Sequence, residues 1–280
     1  MTTRPFGSDG LSVAVIGQGT WRFERDEQAA ARALHRGIEL GLRHVDTAEI
    51  YGDGAVEAML GRALAGVRDR VFLVSKVDPR RATRDELPRA CVESLRRLRT
   101  DHLDAYLLHW LPPHPLAGAV EALEALVRAG HIGCWGVSNF DEVKLGEIIE
   151  LAGPGRVACN QVLYHLGCRD VEHAVLPFCQ RHGVAMVGYS PFATGAFPAP
   201  DSPPGRELAH IARARGATPR QLALAFLTRH PGSFTIPRAS AADHVEENAG
   251  AATLTLSAET VAALERLFPL GPRRPGVPTL

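Results

Sequence analysis

Eight short apolar segments, each followed by a stretch with helical periodicity, constrain this chain more than any other feature. They span residues 13–16, 43–46, 71–76, 105–109, 132–137, 157–161, 184–189 and 233–237. Short apolar runs bounded by polar residues are typical of strands that are buried on both faces. Eight strand–helix units in 280 residues predict an α/β protein, a (β/α)8 TIM barrel with a parallel sheet and a single domain.

Local signals mark the ends of helices and bear on the structural alternative, an open doubly wound sheet. Thr218-Pro219-Arg220-Gln221 has the spacing of a helix capping box, and Gly183 is placed as a helix stop. The segment Gly17-Gln18-Gly19 lacks the third glycine of a dinucleotide-binding turn. No break in composition marks a domain boundary. Residues 1–280 are therefore predicted to form one barrel domain, with a Pro-rich tail over residues 269–280.

Composition excludes several classes of protein. Lysine plus arginine and aspartate plus glutamate both number 31, so no net charge favours nucleic acid or an acidic membrane surface. The start of the chain lacks a signal-peptide pattern, and no apolar run approaches the roughly 20 residues of a membrane span. The five cysteines form no C-x-x-C pair and the 12 histidines show no metal-ligand spacing. We therefore expect a cytoplasmic protein without a metal, and a monomer, since no heptad pattern suggests assembly.

Four polar residues fall at or just beyond the ends of three successive predicted strands. Asp46, Lys76 and His109 each close a strand, and Tyr51 follows Asp46 in the next loop. The carboxyl ends of barrel strands meet at one face, so these side chains are expected to lie together. A phenol has an unperturbed pKa of about 10, and a nearby ammonium lowers that pKa. The four groups together suit proton transfer to an oxygen that becomes an alkoxide, while another group delivers a hydride.

Each of these residues has an ordinary structural explanation when it is taken alone. An aspartate after a strand often caps a turn, a lysine that ends an apolar run usually meets solvent, and a histidine beside a tryptophan usually belongs to the core. Their joint position at matching strand ends favours the proton-transfer site. A barrel lysine also allows a different chemistry, a Schiff-base aldolase that uses Lys76 as its amine. Against this alternative, Asp46 is expected to keep Lys76 protonated and poorly nucleophilic.

Several short segments, in order along the chain, resemble the aldo-keto reductase family. They are Gly19-Thr20-Trp21, Asp46-Thr47-Ala48, Tyr51-Gly52, Ser75-Lys76, Leu108-His109-Trp110, Gly136-Val137-Ser138-Asn139-Phe140, Asn160-Gln161, Tyr189-Ser190-Pro191 and Ile236-Pro237. The resemblance covers essentially the whole chain, and residues 159–166 are similar to a bacterial branch that includes methylglyoxal reductases. The family implies an NAD(P)H-dependent enzyme. Such an enzyme reduces small aldehydes, ketones or α-dicarbonyls, such as methylglyoxal, to alcohols.

The resemblance also implies a role for each site residue. Tyr51 is the general acid, Lys76 and Asp46 tune its pKa, and His109 orients the carbonyl and shares in proton delivery. Residues assigned to cofactor binding are Thr20, Ser138, Asn139, Gln161, Tyr189 and Ser190. Among them, Ser138, Asn139 and Gln161 hydrogen-bond the carboxamide of the nicotinamide, and Tyr189 stacks on the nicotinamide ring. The substrate pocket is assigned two apolar walls, Trp21 and Trp110.

The adenosine end of the cofactor is assigned, by the same resemblance, to Arg238, His244, Glu247 and Asn248. Arg238 falls where the family usually has a basic residue, and a guanidinium can bind phosphate through two hydrogen bonds. His244 replaces a common arginine, so NADPH is the expected cofactor and NADH stays an alternative. Short loops after His109 and Tyr189 and a short tail imply an open pocket for varied small aldehydes. A redox-sensing subunit with little turnover is a further alternative, which the complete set of four catalytic residues argues against.

Overall fold

The central sheet is the parallel barrel that the alternating pattern predicts. The computed structural model describes residues 1–8 and 10–280. Its strands are β1 (Thr3–Pro5), β2 (Ser12–Ala14), β3 (Gln18–Gly19), β4 (His44–Asp46), β5 (Phe72–Val77), β6 (Leu103–Leu108), β7 (Ile132–Ser138), β8 (Val157–Leu163), β9 (Ala185–Tyr189) and β10 (Ser233–Thr235). Strands β3 to β10 lie side by side in chain order, and all of these neighbours are parallel. Backbone bridges Ile16–Thr235 and Gly19–Arg238 join the two ends of this sheet and close the barrel.

Helices cover the outside of the barrel. In the described part of the chain they are α1 (Glu27–Glu39), α2 (Ala55–Ala63), α3 (Glu86–Leu98), α4 (Leu116–Arg128), α5 (Glu142–Ala152), α6 (Val175–His182), α7 (Pro203–Arg213), α8 (Pro219–Leu227), α9 (Ala242–Ala251) and α10 (Ala258–Leu267). The capping box before α8 is confirmed, since Thr218 Oγ1 accepts from the Gln221 N–H and Gln221 Oε1 accepts from the Thr218 N–H. The stop at Gly183 is confirmed as the left-handed cap of α6.

The first strand of the barrel lies later in the chain than the apolar pattern predicts. Residues 13–16 were expected to form it, but Ser12–Ala14 pair with Thr3–Pro5 in an antiparallel hairpin. The barrel wall begins at Ile16 and continues through β3. A Cβ on Gly19 would lie 2.7 Å from the carbonyl oxygen of Ile236. Strand β3 can therefore approach the segment that follows β10, and so close the barrel, only because this residue is glycine. The apolar run predicted burial correctly, but burial alone does not separate a wall strand from the hairpin beside it.

An aromatic cluster fills the end of the barrel at which the strands begin. Phe6, which follows β1, contacts His44, Phe72 and Phe234 with ring centroids between 4.9 and 5.7 Å apart. Burial lowers the pKa of His44 to about 4, so its imidazole is neutral near pH 7 and packs with the phenyl rings. Because this end is filled, the functional side chains can gather only at the carboxyl ends of the strands.

Two further findings concern the described residues. None of their helices combines the length and the apolar character that crossing a membrane requires. None of the five cysteines, which all lie within the described ranges, takes part in a disulfide.

Candidate active site

A buried ion pair joins the ends of two neighbouring strands. Asp46 stands opposite Val74 in the register of β4 and β5, and Lys76 follows two residues later, on the same side of the strand. Lys76 Nζ lies 2.5 Å from Asp46 Oδ1 and donates a second hydrogen bond to the Thr47 carbonyl at 2.7 Å. Burial by itself lowers the pKa of Lys76, but Asp46 and Tyr51 more than offset this, and the net pKa is raised. The ammonium is therefore charged at neutral pH although it is fully buried.

Tyr51 leaves the barrel in a tight turn directly after this ion pair. The turn Tyr51–Gly54 contains successive left-handed residues, and a Cβ on Gly54 (φ +83°) would meet the Arg97 side chain at 2.8 Å. Lys76 Nζ lies 5.2 Å from the centroid of the Tyr51 ring. Burial raises the pKa of the Tyr51 phenol, and Lys76 offsets only part of this rise. The expected lowering by the ammonium is thus present, but burial outweighs it and keeps the phenol protonated.

His109 follows β6 and faces Tyr51. The two rings are 5.8 Å apart in an edge-to-face arrangement, and the imidazole stacks on Trp110 with centroids 4.0 Å apart. Burial and the charge of Lys76 lower the pKa of His109 to about 2. The imidazole is neutral near pH 7, so it can donate a hydrogen bond to a carbonyl oxygen but does not act as a cationic acid.

A second group of side chains lies at the ends of β7, β8 and β9. Ser138 Oγ donates to the Gln161 carbonyl at 2.8 Å, and Asn139 Nδ2 donates to the His109 carbonyl at 3.2 Å. The Tyr189 hydroxyl donates to Asn139 Oδ1 at 3.0 Å. Asn139 is held at φ +64°, in the left-handed region that asparagine tolerates better than most residues. These hydrogen bonds fix the orientation of the amide and the ring before any ligand binds.

Gln161 links this second group to the ion pair. Its Nε2 donates to Asp46 Oδ2 at 2.7 Å, so both oxygens of the buried carboxylate are occupied, one by Lys76 and the other by Gln161. Thr20 Oγ1 donates to the backbone carbonyl of Asp46 at 2.9 Å. The amide oxygen of Gln161 is left to accept a hydrogen bond from a ligand.

One cavity of about 310 Å³ brings the predicted residues together. Its lining includes Thr20, Trp21, Asp46, Tyr51, His109, Trp110, Ser138, Asn139, Gln161, Tyr189, Ser190 and Arg238. Lys76 lies behind this surface, in contact with Asp46. Trp21 and Trp110, which the sequence assigns to the substrate pocket, line the cavity, and Ile50 and Leu280 also line it. Polar groups that suit proton transfer therefore share one cavity with apolar walls, as in many small-molecule sites.

A groove of about 680 Å³ adjoins this cavity and shares Trp21, Ser190 and Arg238 with it. Three arginines line this groove: Arg22, Arg220 and Arg238. Partial burial and the charges of Arg25 and Arg22 lower the pKa of Arg238. Like charges crowded in this way favour an anionic ligand, such as a phosphate group.

The other residues assigned to the adenosine end are more widely spread. Glu247 lines the groove, where its Oε1 accepts from Thr218 Oγ1 at 2.6 Å. His244 is exposed and Asn248 is buried, and neither lines the cavity or the groove. The chain therefore gathers the nicotinamide end of the predicted site more completely than the adenosine end.

Sequence reasoning did not identify several residues that line the cavity or the groove, among them Arg22, Arg220 and Leu280. Arg22 and Arg220 line the groove, and the Arg220 guanidinium lies 4.8 Å from the centroid of Phe192. Arg220 had a visible signal, a basic residue at the start of a predicted helix. Leu280 had none, because the path of the tail depends on distant ion pairs, including Arg274 with Asp170 at 2.6 Å. The short tail thus contributes Leu280 to the lining of the cavity, and the open pocket that its length implies stays a prediction.

Comparisons with known proteins find similarity to one family over most of the chain. A model of the aldo/keto reductase family matches residues 15–268. Methylglyoxal reductase YeaE of Escherichia coli (strain K12) is 41% identical over 265 residues, which cover 94% of this chain and 93% of that protein. A solved structure of an aldo/keto reductase from Klebsiella pneumoniae in complex with NADP and acetate is 41% identical, has a TM-score of 0.92 and is matched over 100% of both chains. A second structure of an aldo-keto reductase from that organism, in complex with NADPH, gives the same three values.

Proposed function

Because the chain belongs to the aldo/keto reductase family and is an NADPH-dependent reductase of carbonyl groups, we propose that Tyr51 is its general acid. We also propose that its substrates are small aldehydes, ketones and α-dicarbonyls, such as methylglyoxal. The observation that carries the proposal is a single cavity lined at once by Tyr51, His109 and the amides of Asn139 and Gln161. A proton donor and the proposed binding site for the nicotinamide thus line the same small cavity.

The proposed proton transfer follows from the charges around Tyr51. Its phenol is protonated at neutral pH, because the ordinary pKa of a phenol is about 10 and burial raises the pKa of Tyr51 further. When the phenol gives its proton to the carbonyl oxygen of the substrate, the charge of Lys76 stabilises the phenolate that is left. Asp46 holds the ammonium in place, and the neutral His109 donates a hydrogen bond that orients the carbonyl. Bound NADPH supplies the hydride that the carbonyl carbon receives.

The residues present fit this cofactor. Ser138, Asn139 and Gln161 offer a hydroxyl and two amides, the groups that a carboxamide can bind, and Tyr189 offers an oriented ring beside them. In the adjoining groove, Arg238 and its neighbouring guanidinium groups suit phosphate. We propose that Thr20 and Ser190 complete the nicotinamide end, and that Arg238 with Glu247, His244 and Asn248 binds the adenosine end.

The proposed substrate range, from methylglyoxal to larger aldehydes, rests on two considerations. The Escherichia coli relative with 41% identity is a methylglyoxal reductase. A cavity of about 310 Å³ with walls from Trp21, Trp110, Ile50 and Leu280 also has room for larger apolar aldehydes. The walls offer such substrates a surface that excludes water.

The contacts of Lys76 weigh against the aldolase alternative. A Schiff base requires a neutral amine, whereas Lys76 donates to Asp46 and to the Thr47 carbonyl and has a raised pKa. Borohydride in the presence of an aldehyde should therefore leave Lys76 unmodified. The intact set of Asp46, Tyr51, Lys76 and His109 likewise favours turnover over a redox-sensing role.

We propose that the protein acts as a monomer in the cytoplasm and that residues 1–280 form one domain with a Pro-rich tail over residues 269–280. The absence of disulfides among the five cysteines fits a reducing compartment. Light scattering after gel filtration tests the oligomeric state.

The experiment that tests the proposed function follows the absorbance of reduced nicotinamide with two substrates, methylglyoxal and a larger aromatic aldehyde. We expect NADPH to be consumed with both, at comparable kcat/KM. Activity confined to one bulky ketone would contradict the proposed substrate range. No consumption over a panel of aldehydes, in a sample shown to be folded, would contradict the proposed reaction.

A further inference from the structure

A buried carboxylate that the proposed mechanism does not use holds the loop between Asp46 and Tyr51. Glu49 lies in this loop, and its side chain is 6% exposed. The Glu49 N–H donates to the carbonyl of Lys76 at 3.2 Å, as the Thr47 N–H donates to that of Val74 at 2.9 Å. The loop that leads to Tyr51 therefore continues alongside the strand that carries Lys76.

The Glu49 carboxylate strengthens this attachment at a second point. Its Oε1 accepts from the Asp78 N–H at 2.5 Å, and its Oε2 accepts from Arg81 Nη1 at 2.9 Å. Arg97, on α3, approaches the same oxygen at 3.7 Å. Hydrogen bonds to a buried charged group are stronger than exposed ones, because solvent does not compete for them. Glu49 thus ties the loop before Tyr51 to the turn that follows Lys76.

The same attachment reaches His109 through a single peptide group. The peptide between Val77 and Asp78 donates its N–H to Glu49 and accepts from the His109 N–H at 3.3 Å through its carbonyl oxygen. A peptide group is planar and rigid, so its two hydrogen bonds cannot move independently. Glu49 is therefore connected by short links to the segments that carry Tyr51, Lys76 and His109.

We infer that Glu49 is a positioning residue that sets the spacing of Tyr51, Lys76 and His109. The inference rests on the proposed role of Tyr51 as the acid, and Glu49 itself touches no reacting atom. A general acid must lie within hydrogen-bond reach of the atom it protonates. A displacement of about 1 Å at a reacting group can lower a rate by about 100-fold.

Three variants separate positioning from general destabilisation. Glu49→Ala removes the side-chain hydrogen bonds from the Asp78 N–H and from Arg81. Glu49→Gln keeps an oxygen that can accept from the Asp78 N–H. Glu93→Ala is the matched control, because Glu93 accepts from the same Arg81 at 2.9 Å but is about half exposed and does not contact Asp78. The measurements are the single-turnover rate of NADPH oxidation by methylglyoxal, the Kd of NADPH and the thermal unfolding temperature.

For Glu49→Ala we expect the single-turnover rate to fall by about 10- to 100-fold, with an NADPH Kd within about twofold of wild type, since Glu49 lies outside the cofactor seat. Glu49→Gln should recover most of the rate, and Glu93→Ala should match wild type. The high-pH limb of the rate should also move upward in Glu49→Ala, because Lys76 then lowers the pKa of Tyr51 less.

Two results would overturn the inference while leaving the proposed function intact. One is a wild-type rate in folded Glu49→Ala. The other is a loss of rate that only follows the loss of folded protein, with an unchanged pH profile. Absence of oxidation in the wild-type protein would instead contradict the proposed function.

Discussion

The nicotinamide end and the adenosine end of the proposed cofactor site are organised in different ways. At the nicotinamide end, Asp46 is bound on both oxygens by Lys76 and Gln161, and Tyr189 is bound to Asn139. At the adenosine end, Arg238 and His244 are exposed, and Glu247 bonds to Thr218 rather than to either of them. One end is assembled by the fold itself, whereas the other offers separate charges that a ligand would bring together.

This difference indicates that the two ends of the proposed cofactor site have different roles. Groups that protonate and orient a reacting carbonyl must be placed before the reaction, since their contribution depends on geometry. Charges that bind a phosphate can adjust on binding and still contribute affinity. We therefore expect changes at the nicotinamide end to lower turnover or fold stability, and changes at the adenosine end to lower affinity.

The largest effect should come from Tyr51→Phe. Removing a general acid typically lowers a rate by about 10²- to 10⁴-fold, and the phenyl ring keeps its contact with His109. We expect kcat with methylglyoxal to fall within that range, while the Kd of NADPH, followed by nucleotide fluorescence, stays within about twofold. A wild-type kcat in the variant would show that Tyr51 is not the acid.

Lys76→Met tests whether the nicotinamide end is part of the fold. The variant would leave the Asp46 carboxylate buried without its cation, and breaking a buried ion pair costs about 3–5 kcal/mol. We expect the free energy of unfolding in urea to fall by that amount. Arg62→Met is the matched control, since Arg62 pairs with Glu27 at the surface and such pairs contribute at most about 1 kcal/mol. Equal losses of unfolding free energy in the two variants would show that the Lys76–Asp46 pair contributes no more to the fold than a surface ion pair does.

Arg238→Ala should affect affinity and leave turnover at saturation nearly unchanged. A hydrogen bond between charged groups contributes about 1.5–3 kcal/mol, so the Kd of NADPH should rise by about tenfold or more. The Kd of NADH, which lacks the 2′-phosphate, should change by less than about threefold. Comparable losses for both cofactors would remove Arg238 from phosphate binding.

The smallest effect concerns pH. The pKa of His109 is lowered to about 2, so the imidazole gains no proton as the pH falls from 8 to 5. We therefore expect kcat to show no titration that belongs to His109 over this range. A change in kcat near the ordinary histidine pKa of about 6.5, lost in His109→Gln, would contradict the assigned neutral state.

The sequence predicted the barrel, and it also predicted that Asp46, Lys76 and His109 lie together, because both predictions depend on local patterns. Alternating apolar segments and helices specify the architecture, and Asp46, Lys76 and His109 mark strand ends that a barrel brings to one face. The hydrogen bond from Gln161 to Asp46 spans 115 positions of the chain and leaves no local signal. The same holds for Leu280, whose place in the cavity depends on ion pairs such as that of Arg274 with Asp170.

Placement of the first strand failed for a related reason. The run over residues 13–16 is buried, but its burial comes in part from pairing with Thr3–Pro5. Two glycines, Gly17 and Gly19, determine where the wall can run, because the neighbouring backbone leaves no room for a side chain there. A hydrophobic pattern predicts that a segment is buried, but it does not predict with which strand the segment pairs.

The measurement that tests the central claim most directly is single-turnover oxidation of enzyme-bound NADPH and NADH by methylglyoxal, followed by stopped-flow absorbance. If the fold assembles the reacting end and the adenosine end supplies affinity, both cofactors at saturation should give hydride-transfer rates within about threefold, while their Kd values differ by more. Oxidation of neither cofactor would contradict carbonyl reduction. Hydride-transfer rates that differ as much as the Kd values would contradict the division between the two ends.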